Sequence, residues 1–271
     1  MDIIKECVEA LKELKERRPL VHNITNYVTV NDCANIILAL GGSPVMADDI
    51  SEVEDMVAIA SSLVINMGTL SERTVGSMIK AGKRANQLHI PVIFDPVGVG
   101  ATPYRNKVAQ TLLNEIHFAV IRGNMSEIKC LNGLNVQTKG VDSVTDETGG
   151  VEVAKDLAAR MNCVAAVTGK TDIITNGKAV CSIANGHPIL AHVTGTGCMA
   201  TALVGTYCGV VADSFIAAAA GVMTMGLAGE LAQRTLQDKE GIGTFRVRLF
   251  DSVYNLGEDT IRKEGRIKLL A

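Results

Sequence analysis

Short apolar runs alternate with helical segments through most of this chain, and that alternation restricts the possible folds more than any other feature. Continuous apolar runs end at 66, 96 and 121, and amphipathic segments such as 72–88 lie between them. Alternating strands and helices predict a sheet with helices on both faces, and parallel strands buried on both faces are apolar throughout. The sequence therefore predicts an α/β fold with a mostly parallel central sheet.

One pair of apolar runs departs from this alternation. Asn176-Gly177 separates two short runs within 172–181, which is a strong hairpin signal and predicts an antiparallel edge to the sheet. A less patterned stretch, 133–147, precedes a predicted helix over 148–161. The last third of the chain predicts three helices, over 197–212, 214–235 and 244–263. Since no linker or repeat interrupts the pattern, we expect a single domain over 1–271.

Composition excludes several classes of function. The chain has 271 residues, a net charge of −3 and only 3% aromatic residues, so nothing indicates nucleic-acid binding. The seven cysteines form no Cys-x-x-Cys pair, which argues against a disulfide framework or a zinc cluster. This cysteine usage and the lack of a signal-peptide pattern predict a cytoplasmic protein.

An uncharged stretch over 193–212 is about long enough to span a bilayer. It contains four glycines and four threonines, however, which favours a buried helix, and we expect no membrane partner. Another uncharged face, at 217–225, must also be buried, either by a neighbouring subunit or by the chain's own core.

Candidate functional residues gather where the predicted strands end. Ligands of open α/β sheets bind at the carboxyl ends of the strands. The residues at or near those ends are Asn23, Met46, Asn66, Asp95, Arg122, Asn124, Thr168 and Gly195. Their convergence predicts a polar binding site at one edge of the sheet.

The segment Val193-Thr194-Gly195-Thr196-Gly197-Cys198 is the strongest candidate for an anion site. A glycine turn that opens a helix presents unpaired N–H groups and the positive end of the helix dipole, so Gly197 is a candidate phosphate contact. Cys198 falls in the first turn, where a thiolate is favoured. A purely structural turn before a buried helix is the alternative.

These residues supply each part that phosphoryl transfer requires. Arg122 is a candidate phosphate clamp, Asp95 and Glu127 are candidate Mg²⁺ ligands, directly or through water, and Cys198 is a candidate base. No P-loop or dinucleotide fingerprint is present. The alternatives are a turn residue for Asp95, an ordinary acid of a helix first turn for Glu127, and a surface ion pair for Arg122.

Five segments together resemble the hydroxyethylthiazole kinase family. They are Val21-His22-Asn23-Ile24-Thr25-Asn26, Gly42-Ser43-Pro44-Val45-Met46, Phe94-Asp95-Pro96-Val97-Gly98-Val99-Gly100, Arg122-Gly123-Asn124-Met125-Ser126-Glu127 and Gly195-Thr196-Gly197-Cys198. The resemblance implies a three-layer ribokinase-like fold. It also implies a thiamine-salvage enzyme that uses ATP and Mg²⁺ to phosphorylate the hydroxyl of 4-methyl-5-(2-hydroxyethyl)thiazole.

The resemblance also implies individual roles. Arg122 and Thr168 correspond to ATP contacts, Met46 and Gly195 to thiazole contacts, and Asn124-x-x-Glu127 to the superfamily's Mg²⁺ motif. Members of the family are trimers with the thiazole site between subunits, so Asn23 and Met46 are expected to serve a neighbour's Cys198.

Two alternative functions remain open at this point. One keeps the fold but phosphorylates a pyrimidine or a sugar alcohol; Cys198, where related kinases carry the Asp of Gly-x-Gly-Asp, and the Asn-rich loop at 22–26 argue against it. The other is a non-catalytic protein that binds a thiamine precursor.

Overall fold

The computed structural model describes residues 2–134 and 149–270, so most of the weakly patterned stretch 133–147 lies outside the described residues. Within them, the strands are β1 Leu20–Ile24, β2 Ser43–Val45, β3 Ser62–Asn66, β4 Val92–Asp95, β5 Val120–Asn124, β6 Val164–Thr168, β7 Asp172–Thr175, β8 Val180–Ile183 and β9 Ile267–Leu270. They form one sheet in the order β2-β1-β3-β4-β5-β6-β7-β8-β9. β1 to β6 are parallel, and β7, β8 and β9 continue the sheet in antiparallel pairs.

The α-helices of the described residues are α1 Ile3–Arg17, α2 Val30–Leu40, α3 Val53–Ile59, α4 Glu72–Gln87, α5 Pro103–Glu115, α6 Met125–Leu131, α7 Gly150–Met161, α8 Thr196–Cys208, α9 Ser214–Arg234, α10 Ile242–Tyr254 and α11 Glu258–Glu264. A 3₁₀ helix, Pro188–His192, precedes α8. Capping residues mark the start of two helices. The side chain of Ser71 forms a capping box at the start of α4, and Asn124 forms one at the start of α6.

The sheet separates two hydrophobic cores. α1, α2 and α8 to α11 contribute to one core, and α3 to α7 contribute to the other. Side chains of β3 alternate between them, since Leu63 and Ile65 pack on the second side and Val64 on the first. The predicted α/β class, with its mostly parallel sheet and helices on both faces, is confirmed.

Helix α9 is the apolar centre of the first core. By length and composition it could cross a membrane, but 94% of its apolar window is buried inside the protein. Its residues 217–225 are all buried, so the chain's own core covers the uncharged face that the sequence left open between core and subunit contact. The uncharged stretch over 193–212 contains α8, whose residues from Met199 to Cys208 are buried as well.

The C-terminal region differs from the sequence prediction in two ways. The single helix predicted over 244–263 is wrong, because α10 ends at Tyr254 and α11 begins after Gly257, which is its N-cap. The antiparallel hairpin is confirmed, with Gly177 at φ +87° in its turn, but the edge is extended by β9, which pairs with β8. Short apolar segments such as β9 carry too little periodicity to be distinguished as strands.

Candidate active site

The site forms where the parallel strands end beside the first turn of α8. In the strand register Asn66 of β3 is paired with Asp95 of β4, and Asn124 of β5 with Thr168 of β6. Parallel strands in register bring their last residues to the same edge of the sheet, so four predicted positions become neighbours. β5 runs from Val120 to Asn124 and is thus displaced toward the C-terminus from its predicted range of 118–121, so that Arg122 lies within the strand.

Asp95 is the buried carboxylate at the centre of this edge. Its Oδ2 accepts hydrogen bonds from Asn66 Nδ2 and Thr201 Oγ1, both at 2.8 Å, and lies 4.0 Å from Arg122 Nη1. Its Oδ1 is buried without a partner. Burial raises the pKa of Asp95, although Arg122 and the two hydrogen bonds act in the opposite direction. The free oxygen therefore provides an unused acceptor at the site.

Cys198 is connected to Asp95 through two asparagines. The Nδ2 of Asn26 lies 3.4 Å from Cys198 Sγ and 2.9 Å from Asn66 Oδ1, and Asn66 in turn donates to Asp95. Burial, followed by the charge of Asp95, raises the pKa of the Cys198 thiol above its ordinary value of 9.0. The sequence indicated a stabilised thiolate at a helix start, but the surroundings instead favour the neutral thiol in the unliganded protein.

The two glycines before Cys198 are required for different reasons. Gly195 has φ +90°, and a Cβ there would lie 2.5 Å from Thr29 Cγ2. A Cβ on Gly197 would lie 2.8 Å from Arg122 Nη1. The guanidinium therefore packs directly against the start of α8, and its Nη2 donates to Thr168 Oγ1 at 2.5 Å.

Glu127 lies at the start of α6 and is buried. Its Oε1 accepts the N–H of Gly98 at 2.9 Å, and its Oε2 accepts the N–H of Asn124 at 2.8 Å. Burial and the charge of Asp95 raise the pKa of Glu127 to about 7. Glu127 is thus the capping acid that the structural alternative described, and it is also electrostatically coupled to Asp95.

A cavity of about 550 Å³ opens beside this edge and is lined in part by Asn23, Met46, Thr69 and Arg105. Asn23 Oδ1 is buried without a partner. Gly195 is outside the lining, so the structure places Asn23 and Met46 in the cavity and Gly195 at the N-cap of α8. A second depression, between α1 and Gly257, contains none of the predicted site residues.

The cavity wall that carries Met46 is held from two sides. His22 Nε2 lies 2.7 Å from Ala47 O, and burial lowers the pKa of His22, so the ring is neutral and donates this hydrogen bond. Arg73 at the start of α4 makes two parallel hydrogen bonds to the Asp48 carboxylate, at 3.0 and 2.8 Å. Bidentate pairs of this kind fix geometry as well as charge.

Comparison with known proteins identifies the family of this chain. The model of the hydroxyethylthiazole kinase family matches residues 11–259. The chain belongs to this family. A hydroxyethylthiazole kinase of Alkaliphilus oremlandii is 52% identical over 268 residues, which cover 98% of this chain and 99% of that protein.

Solved structures lead to the same family and fold. The structure of a hydroxyethylthiazole kinase from Pyrococcus horikoshii has a TM-score of 0.89 and 39% identity, and the match covers 98% of this chain and 100% of that chain. A ribokinase-like superfamily protein from Enterococcus faecalis has a TM-score of 0.62, 12% identity and coverage of 92% and 95%, and it supports the fold alone. This hydroxyethylthiazole kinase family member is therefore a kinase with a ribokinase-like fold.

Sequence reasoning missed part of the surroundings of this candidate site. Thr201 lies three positions after Cys198 on α8, and helical spacing would have placed the two on one face. Asn26 and Asn66 were recognised as polar residues, but nothing in the sequence showed that they connect Cys198 to Asp95. Arg105 lies in a helix first turn and had no local signal at all.

Proposed function

We propose that this kinase transfers the γ-phosphoryl group of ATP to the hydroxyl of 4-methyl-5-(2-hydroxyethyl)thiazole, in thiamine salvage. One observation carries the proposal: Gly197 of the glycine turn packs on Arg122, which lies 4.0 Å from Asp95. Close to them, Gly68 bonds Asn66 and lines the cavity that contains Asn23 and Met46. An anion site, a buried carboxylate and an acceptor cavity are the parts that phosphoryl transfer to an alcohol requires.

The acceptor alcohol is proposed to occupy the cavity. Met46 provides an apolar surface for a heteroaromatic ring, and the Asn23 side chain lines the same cavity. Gly195 contributes by keeping the turn beside the cavity close to Thr29.

The triphosphate is proposed to lie over the first turn of α8. The backbone N–H groups at Gly197 and Cys198 begin the helix and point away from it, where they can bind phosphate oxygens. Arg122 is next to them and is oriented by Thr168. Asn124 is proposed as a further nucleotide-side residue because it orients Glu127 through the capping box.

Mg²⁺ fits the carboxylate pair of Asp95 and Glu127. Asp95 Oδ1 is an unused oxygen, and a divalent cation would offset the burial that raises the pKa of both groups. No group of three or more His, Cys, Asp or Glu side chains suited to a metal occurs in the described parts of the chain, so water and phosphate oxygens would complete the shell. When bound, the ion neutralises charge on the phosphates.

Cys198 is proposed as the base that accepts the proton of the acceptor hydroxyl. It lies at the anion site, and Asn26 orients its sulfur. Since the neutral thiol dominates at pH 7, the residue is a modest base, and positioning and electrostatics supply most of the rate.

The direct test is formation of the thiazole monophosphate by purified protein with ATP, by mass spectrometry, with and without Mg²⁺. Hydroxymethylpyrimidine and ribose are the competing acceptors, and a higher kcat/KM for either would favour the alternative kinases. Binding of both ligands without product would favour the non-catalytic alternative.

The assembly and compartment are proposed by analogy with the family. We propose a single domain over 1–271 that forms a cytoplasmic homotrimer with active sites between subunits. Tyr27 and Val28 support this assembly, because they are apolar, lie beside Asn26 and are 79% and 57% exposed. Exposed apolar side chains beside a site are typical of protein interfaces.

A further inference from the structure

Arg105 links the two loops that follow the central strands of the sheet. It lies in the first turn of α5, and its Nη1 donates to Met67 O at 2.6 Å and to Val97 O at 2.7 Å. Its Nη2 donates to Gly68 O. Met67 and Gly68 follow β3, and Val97 follows β4 by two residues, so one guanidinium holds the ends of two neighbouring strands together.

Through the loop after β3, Arg105 is connected to the groups that surround the Cys198 thiol. Gly68 N donates to Asn66 Oδ1 at 3.0 Å, and a Cβ on Gly68 would lie 2.7 Å from Asn26 Nδ2. Gly68 therefore lies against the asparagines that connect Cys198 with Asp95. A displacement of Gly68 would move the group that orients the sulfur.

Through the loop after β4, Arg105 is connected to the Glu127 carboxylate. Arg105 holds Val97 O, and the next residue, Gly98, donates its N–H to Glu127 Oε1 at 2.9 Å. Gly98 has φ +73°, and a Cβ there would lie 3.5 Å from three atoms of the Arg105 side chain. The arginine thus supports the turn that aims this N–H at Glu127.

Among residues 2–134 and 149–270, the charge of Arg105 has no carboxylate partner. No Asp or Glu oxygen there lies within 4 Å of its nitrogens, and it donates to the three carbonyls. The side chain is half-buried and lines the acceptor cavity. Only a planar guanidinium supplies several donors in fixed directions, and a lysine ammonium cannot reproduce this arrangement.

We propose that Arg105 is a positioning residue that holds the Asn26–Cys198 pair and Glu127 in register at the strand ends next to the acceptor cavity. This inference rests on the proposed function. Arg105 does not bond Arg122 or Thr168, the proposed ATP contacts, so its loss should lower the rate, through Cys198 and Glu127, more than it weakens ATP binding. Misplacement of reacting groups by about 1 Å costs on the order of 10²-fold in rate.

The test compares Arg105→Lys and Arg105→Ala with Arg160→Ala. Arg160 is the control because it also donates to a backbone carbonyl, that of Leu131 at the end of α6, at 2.8 Å, but lies outside the cavity lining. We expect both Arg105 variants to lower kcat/KM for the alcohol about 10²-fold, with a smaller change in KM for ATP.

We also expect guanidinium chloride at tens of millimolar, but not ammonium chloride, to restore part of the activity of Arg105→Ala. Equal kinetics in Arg105→Lys and Arg160→Ala, or a loss in Arg105→Ala that guanidinium leaves unchanged, would overturn the inference.

A second measurement does not depend on activity. Alkylation by iodoacetamide is followed by mass spectrometry at Cys198, with the half-exposed Cys130 as the reference in the same sample. We expect faster alkylation at Cys198 in Arg105→Lys, because Asn26 is no longer held against the sulfur, and no change in Arg160→Ala. If the wild type makes no thiazole monophosphate, the proposed function fails, and this rate still decides the role of Arg105. An unchanged rate at Cys198 refutes it.

Discussion

At the residue scale, the surroundings of three titratable side chains determine their pKa values. Asp95, Glu127 and Cys198 are all buried enough for their pKa values to be raised, and each also receives hydrogen bonds that favour the charged form. Burial makes the largest contribution to the raised pKa of each group. A bound cation or a transferred proton would offset this cost of burial.

Cys198 is expected to act as a general base rather than as a nucleophile. Because its pKa is raised above 9.0, the kcat of the wild type should increase with pH up to at least pH 9. Cys198→Ser should lose 10- to 10³-fold in kcat, roughly the range of general-base catalysis. Cys198→Asp should retain activity and lose the alkaline rise, since a carboxylate is already ionised there.

The stereochemistry of the transferred phosphorus separates the base from a covalent nucleophile. One in-line step inverts the configuration of a chiral phosphoryl group, whereas transfer through a phosphocysteine retains it. We expect inversion with the wild-type kinase, and retention would disprove the role of Cys198 as base.

Glu127→Gln is expected to lower kcat on the order of 10²-fold, comparable to the loss of other electrostatic elements of a transition state, and to raise the Mg²⁺ concentration needed for half-maximal rate. The substitution also has a structural cost, because both Glu127 oxygens accept backbone N–H groups and an amide replaces only one of them. Circular dichroism checks the fold, and a rate that does not depend on Mg²⁺ in both proteins would remove Glu127 from the metal site.

Asp172 should make stability depend on pH. Burial raises its pKa from 3.8 to about 7, so the folded state binds the proton more tightly than the unfolded state. This stabilisation is complete below about pH 4 and is lost as the pH rises through about 7. Asp172→Asn keeps an acceptor for Gly169 N–H, which lies 2.9 Å from Asp172 Oδ1.

We therefore expect Asp172→Asn to have a higher Tm than the wild type at pH 8, by at least about 3 °C, and a smaller advantage at pH 5. Differential scanning calorimetry at both pH values measures the difference, with the exposed Asp259→Asn as the control for loss of one negative charge. A difference that is the same at both pH values would contradict the effect of burial.

Among the elements, α8 contributes most to the site, through its first turn. Its N-cap, Gly195, has a left-handed backbone conformation, and the turn lies against Thr29 on one side and Arg122 on the other. The hydrophobic remainder of the helix is buried from Met199 onward, which anchors this turn in the core. Helix α8 thus combines a buried C-terminal part with a first turn whose N–H groups have no partner within the helix.

Gly195→Ala is expected to lower the Tm and to weaken ATP binding about 10-fold or more. A Cβ would meet Thr29 Cγ2 at 2.5 Å, and an L-residue at φ +90° is strained by about 1–3 kcal/mol. Gly241→Ala is the matched control, because Gly241 is also a helix N-cap but has φ −117° and open space around its Cβ position. Calorimetric titration with ATP measures the effect, and equal affinities in the two variants would show that the turn is adaptable.

On the scale of the whole molecule, the exposed apolar side chains favour a subunit contact at a different place from the one that the sequence suggested. Residues 217–225 no longer argue for a partner, since the chain buries them itself. The apolar exposure at Tyr27 and Val28, beside the acceptor cavity, gives a different reason to expect a neighbouring subunit there.

Light scattering should give three times the chain mass of 28.7 kDa at working concentration. Because the sites are proposed to be shared, specific activity should fall on dilution at the concentration where the trimer dissociates. A fully active species with the mass of one chain would refute both the trimer and the shared site.

The local pattern of the chain was sufficient to predict the alternation of strands and helices up to the hairpin, the hairpin itself and the glycine turn, but not the break between α10 and α11 or strand β9. Apolar periodicity distinguishes buried strands from amphipathic helices. Asn176-Gly177 and Gly195 predict turns because glycine permits the positive φ that both turns require. The resemblance in five segments also predicted the family, which is confirmed. The roles of the site residues remain predictions.

Only the tertiary structure decided how the candidate residues act on one another. Asn26 and Cys198 are 172 positions apart, and Arg105 bonds carbonyls as far as 38 positions away, so no local pattern records these contacts. The direction in which the pKa of Cys198 shifts also depends on burial and on Asp95, and this reversed the expectation from its helix position. Periodicity and turn chemistry act over a few residues, whereas burial and electrostatics depend on which distant segments the fold brings together.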